Sequence, residues 1–181
     1  ITFIMRPIGG IIIGHYADKV GRRKALIFTV SAMSGATFLI GCLPGFSHAG
    51  MISPILFIAL RLIQSLIVGG ELPGSSTFLI EHTGKEQKAG LISSFIFATA
   101  MFGIAIAAII AALLSELIPA AHFIDWGWRI AYWLGAALGV IGIFLRLHSN
   151  ETEDFLTIKQ KETLPVKIIL TQHKYALLGS V

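Results

Sequence analysis

The chain has 181 residues, 55% of them apolar and only 13% charged, with a mean hydropathy of +0.80 and a net charge of +4. A water-dissolved domain carries about 25% charged residues, so this composition excludes an ordinary soluble globule and makes lipid the better solvent. The single cysteine, Cys42, excludes an internal disulfide and a cysteine-based metal site.

Taken in chain order, the pattern predicts helical spans over about 1–16, 25–43, 52–81, 89–114 and 129–147, with another beginning near 174. A helix needs about 20 apolar residues to cross hydrocarbon. The stretch between Lys88 and Glu116 supplies 27 uncharged residues, and that between Arg129 and Arg146 supplies 16. Period-2 alternation is absent, which argues against barrel strands. The expected fold is therefore an all-α polytopic membrane bundle. Ile1 opens inside an apolar stretch, so the chain reads as a fragment.

Connections fall at 17–24, 44–51, 82–88, 115–128 and 148–173. The first and third of these, together with everything after 145, hold 11 of the 14 Lys and Arg; the second and fourth hold none. The positive-inside rule then puts the basic loops in the cytoplasm. The same placement explains the positive charge without nucleic acid as a partner. Residues 150–165 read as an amphipathic surface segment.

Small residues recur at helical spacing in Gly10/Gly14, Gly135/Gly139 and Ala100/Gly103/Ala107/Ala111, where packing of membrane helices favours them. Gly14 is expected to permit close helix approach, and Gly21 to adopt positive φ within the first turn. Trp126, Trp128, Tyr132 and Trp133 read as an interfacial aromatic belt. The histidines read as interfacial, with His82 a further gate residue.

Charges within the spans are costly and need a partner or a purpose. Arg6, Arg61 and Glu71 stand out. At a rise of about 1.5 Å per residue, Glu71 lies about 15 Å from Glu81 and Arg6 about 12 Å from Gly14, both near the bilayer midplane. Gln64, Glu71, Ser75 and His82 share one face of their helix, a stripe suited to a water-filled cavity. Burial raises a carboxylate's pKa, which suits Glu71 to proton exchange. The competing reading is a fixed pair of Glu71 with Arg6 or Arg61. Arg6 also suits a solute carboxylate, because its guanidinium is a bidentate fork.

The stretch "GHYADKVGRRK" (14–24) has the form G-x-x-x-D-[RK]-x-G-R-[RK]-[RK] and resembles the signature loop of the major facilitator superfamily. "RLIQSLIVGGE" (61–71) is similar to that superfamily's fourth-span pattern, with Arg61, Gly69 and Gly70 as its structural residues. "DWGWRIAYWLG" (125–135) and "LRLHSNETEDF" (145–155) resemble the sixth span and its exit in the metabolite:proton symporter group, nearest the proline/betaine transporters. Ser65, Ala131 and Pro73 depart from the usual pattern.

The resemblance implies a twelve-helix carrier of which this chain supplies about spans two to six. Residues 1–147 would be the N-terminal helical half without its first span, 148–173 an inter-domain linker, and 174–181 the start of the next span. Lipid, a small-molecule solute, the missing first span and the C-terminal half are the implied partners. The coupling ion would be a proton, with no other cofactor and no metal. The implied function is proton-coupled symport of a proline- or betaine-like osmolyte or an organic acid in the bacterial inner membrane. Arg6, Gln64, Glu71 and Ser75 would form the solute and proton pathway, and Gly14, Asp18, Gly21, Arg22, Arg23 and Glu81 the cytoplasmic gate, Glu81 pairing with Arg22 or Arg23. A facilitator-type uniporter, a sugar carrier, or a channel or receptor are the alternatives. "GGELPGSS" (69–76) imitates a phosphate loop but has Ser75 where the lysine belongs, which excludes an ATP site. No nucleophile elbow or metal spacing suggests an enzyme.

Overall fold

The computed structural model describes residues 1–83 and 88–149, the side chains of 82 and 83 excepted. The expected amphipathic segment at 150–165, the linker beyond 149, the span near 174 and the His82 side chain lie outside the described residues. Within them every regular element is helical: α1 (Thr2–Val20), α2 (Arg22–Gly41), α3 (Phe46–Ala49), α4 (Ile52–Thr83), α5 (Ala89–Leu117), α6 (Ala120–His122), a π-helical turn (Phe123–Gly127) and α7 (Trp128–Leu147). Four helical stretches are long and apolar enough to cross a membrane: Arg22–Gly41, Ile52–Glu81, Ala89–Leu117 and Ala120–Leu147. The remaining long helix, α1, carries Arg6, Asp18 and Lys19 and packs most extensively on α4.

The expected eight-residue turn at 17–24 is instead a single residue. Gly21 has φ 109° and ψ 149°, a conformation open essentially to glycine alone. Its N–H donates to Ala17 O at 3.0 Å and its carbonyl accepts from Ala25 at 3.1 Å. The charge cluster therefore sits on two helix ends rather than in a loop. At the other side Ile118 is extended (φ −102°, ψ 125°), as a residue before proline prefers, and α5 ends there. The chain then re-enters through Pro119, α6 and the π-helical turn, so most of the expected 115–128 connection is helical.

Close approach of α1 and α4 rests on glycines that meet backbone. A Cβ at Gly9 would overlap Leu66 O, a Cβ at Gly69 would overlap Arg6 O, and one at Gly70 would overlap Ile13 Cβ. Gly10 lies near Gly69 O, with 3.3 Å available. Gly14, expected at the contact, has nothing within 4 Å of a Cβ; it lines a cavity of about 100 Å³ between α1, α2 and α4. The helix phase decides this, since Gly9 faces Leu66 and Gly69 faces Arg6.

The Gly135/Gly139 pair does serve packing of α7 on α2, where Gly139 faces Ser34 and Gly135 faces Thr37. On α5 the Ala100/Gly103/Ala107/Ala111 stripe packs on nothing described: α5 has no buried residue, and Gly103 has open space beside it. The densest packing lies between α1, α2, α4 and α7. Ile40 and Thr29, both fully enclosed, mark its centre.

Candidate functional site

Antiparallel α2 and α4 bring hydroxyls of one against polar groups of the other. Gln64 Nε2 donates to Thr37 Oγ1 at 2.9 Å. Two turns along, Thr29 Oγ1 donates to Glu71 Oε2. Thr29 also reaches back to Leu26 O at 3.0 Å, and Thr37 to Met33 O at 2.7 Å, so each hydroxyl is fixed by its own helix.

The partner of Glu71 differs from both expected ones. Arg146 Nη2 donates to Glu71 Oε1 at 2.5 Å, and Arg146 Nη1 to Leu26 O at 2.8 Å. Arg146 thus ties α7 to α2 and α4 through one guanidinium. Arg6 and Arg61 are engaged elsewhere. Arg146, counted with the basic residues after 145, turns its guanidinium into the bundle.

The expected single polar stripe is divided between environments. Gln64 lines a cavity of about 580 Å³ together with Thr2, Arg6, Thr37, Arg61 and Tyr132, and among the described residues no Asp or Glu contributes to it. Glu71 lies between helices and outside that cavity. Ser75 lines a second space of about 200 Å³ with Arg23, Phe78, Ile96 and Arg146. The tight seam of α4 on α2 separates the two.

Within the larger cavity Arg61 Nη2 donates to the Tyr132 hydroxyl at 2.8 Å, and Nη1 to Gln64 Oε1 at 3.4 Å. Its guanidinium also faces the rings of Phe57 and Tyr132 at 5.3 and 5.7 Å. Arg6 lies over the Phe3 ring at 4.9 Å. Tyr132 therefore belongs to the cavity wall rather than to an aromatic belt, while Trp133 packs over Gly41. Trp128 meets Tyr132 edge-on, with centroids 5.8 Å apart. A helical phase count along α7 was the signal that distinguishes Tyr132 from its neighbours.

At the opposite end, Arg22 joins three helices. Its Nη1 is 2.7 Å from Asp18 Oδ1, and its Nε is 3.4 Å from Glu81 Oε1. Of the two expected partners for Glu81, the structure pairs it with Arg22. Arg23 Nη2 donates to Leu147 O at 2.5 Å, capping the end of α7. Gly69 and Gly70 serve the α1 contact described above.

The arrangement is a membrane helical bundle with a polar cavity on one side and an ion-pair cluster on the other, the architecture of a transporter. It superposes on the solved proton:xylose symporter XylE with a TM-score of 0.72 over 98% of this chain and 40% of that one, at 16% identity. The sequence matches the Major Facilitator Superfamily over residues 1–179, and the chain belongs to that family, one of transporters rather than enzymes. It is 37% identical to the proline/betaine transporter of Escherichia coli (strain K12) over 155 residues, 86% of this chain and 31% of that protein. It is 38% identical to the citrate-proton symporter of Klebsiella pneumoniae over 153 residues, 84% of this chain and 34% of that protein. The chain thus spans about a third of the length of these relatives.

Proposed function

We propose that this chain is part of a secondary active carrier that symports a proton with a small organic solute, an osmolyte of the proline or betaine kind or an organic acid, by alternating access. Residues 1–147 belong to its first helical half, 148–173 link the halves, and 174–181 begin the next span. The membrane is a bacterial inner membrane, with the basic loops on the cytoplasmic side.

The observation that carries this reading is the setting of Glu71. It is a carboxylate in the interior of a membrane helix, held by Thr29 of α2 and Arg146 of α7. Through this carboxylate the Arg146 guanidinium ties α7 to α2 and α4, so the charge on Glu71 couples the position of α7 to the rest of the bundle. Arg6 and Gln64 face the solute, and Ser75 lies on the path toward the basic side. Asp18, Arg22 and Glu81 form the gate that stabilises one access state, with Gly14, Gly21 and Arg23 shaping the same end.

The test is uptake by the full-length carrier in proteoliposomes, using labelled proline, betaine and citrate under an imposed pH gradient. Symport predicts accumulation that a protonophore abolishes, and loss of pH-driven accumulation but not of solute exchange in Glu71→Gln. Saturable uptake indifferent to the gradient identifies a uniporter, and non-saturable flux a channel; either overturns the proposal.

A further inference from the structure

The cavity between α1, α2, α4 and α7 has a one-sided hydrogen-bond inventory. Two of its neutral acceptors, on Thr37 and Gln64, are already engaged within the wall. Thr37 Oγ1 accepts from Gln64 and Gln64 Oε1 accepts from Arg61, while the Ser65 hydroxyl donates to Thr2 O at 2.7 Å. The donors are in surplus. A guanidinium offers five N–H groups; Arg61 uses one well and one at long range, and Arg6 donates to nothing among the described residues. Tyr132, which accepts from Arg61, keeps its own proton to give.

Charge points the same way. Two guanidinium groups share this lining with no carboxylate among the described residues. Of the cavity's lining, the aromatic ring that a cationic nitrogen would need is that of Tyr132, which Arg61 already faces. An ammonium group brings only donors and positive charge, and the two guanidinium groups repel it here. A carboxylate brings only acceptors and negative charge, and the planar guanidinium fork matches it in two parallel bonds. At about 580 Å³ the space is of the size that small-molecule sites occupy.

We infer that this cavity is the carboxylate subsite of the carrier and that the solute is an organic acid anion rather than a zwitterionic or quaternary-ammonium osmolyte, with Arg6 receiving its carboxylate and Arg61, braced by Tyr132 and Gln64, fixing its orientation. This rests on the carrier reading above and chooses between the two solute classes which that reading leaves open. The shared chemistry has a second source, since a carboxylate elsewhere in the full-length protein fits the same fork.

The experiment separates binding from coupling by measuring thermal stabilisation of the purified full-length carrier in detergent, with no proton gradient. Citrate and succinate are the probes, citric triamide and succinamide their uncharged counterparts, and proline and betaine the osmolytes. At least one acid should stabilise the carrier at a concentration ten-fold or more below its amide and below both osmolytes. Arg6→Gln should reduce that preference for acid over amide at least ten-fold, and Arg6→Lys, which keeps charge without the fork, should retain part of it. Stronger stabilisation by proline or betaine than by either acid overturns the inference, and so does equal stabilisation by acid and amide in the wild type. An acid preference unchanged in Arg6→Gln assigns Arg6 to a carboxylate of the protein and overturns it too. Acid-selective binding without proton-driven uptake leaves this subsite standing and refutes only the symport.

Discussion

Replacement of Gly9 by alanine tests the packing that sets α1 against α4. A Cβ there would come 2.6 Å from the Leu66 carbonyl carbon and 2.9 Å from Leu66 Cα, besides overlapping the carbonyl oxygen. Ordinary carbon contacts lie at about 3.5–4.0 Å, so the helices must separate by roughly 1 Å, and a gap of about 0.5–1 Å forfeits a quarter to a half of each contact's attraction. Overpacking of this kind costs about 1–3 kcal/mol. The obstacle is backbone, so no side-chain change can relieve it.

Gly139→Ala provides the contrast, since it meets the Ser34 side chain, with Ser34 Cβ at 2.8 Å. Gly139→Ala should cost a similar amount alone, and Ser34→Gly should recover most of it. Thermal unfolding of the full-length carrier in detergent reads both. Gly142→Ala, whose Cβ would rest 3.5 Å from Val30 Cγ1 in normal contact, is the tolerated control. If Gly9→Ala unfolds at the same temperature as this control, or if Ser34→Gly fails to rescue Gly139→Ala, the packing described between these helices is wrong.

Gly21→Ala should cost about 1–3 kcal/mol, because the backbone at φ 109° is closed to a side chain; lowered thermal stability with unchanged membrane insertion is the readout. Arg146→Gln should destabilise by on the order of 2 kcal/mol, as it leaves the largely enclosed Glu71 carboxylate without its partner, and Arg146→Gln with Glu71→Gln should recover part of that loss in the same melt. Asp18→Asn and Glu81→Gln each remove one arm of the Arg22 pairing, a change of about 0.2–1 kcal/mol for partly exposed ion pairs. The inward/outward populations should shift up to about five-fold, as read by cysteine labelling from each side of the membrane. Reporter fusions at positions 48 and 86 should report opposite compartments.

The helical bundle was legible in the sequence because lipid imposes long uncharged runs, and the stretch 89–115 can hardly be anything but a membrane helix. The charged turn was legible as a motif, and the positive φ of Gly21 with it; its length was not, since the chain reverses within one residue rather than over eight. Partner choice was the least legible feature. Arg146 is 75 residues from Glu71, and only the three-dimensional crossing of α7 over α2 and α4 brings them together. The same limit applies to Gly9 against Gly14, which lie five residues apart on different faces of α1, and the position of the partner helix alone decides which is pressed against backbone.

The one-residue elbow at Gly21 leaves no slack between α1 and α2. Any tilt of α1 is passed directly into the first turn of α2, while the glycine contacts clasp α1 to α4. These three helices are thereby joined as one unit, through the elbow at one end and the glycine seam along their length.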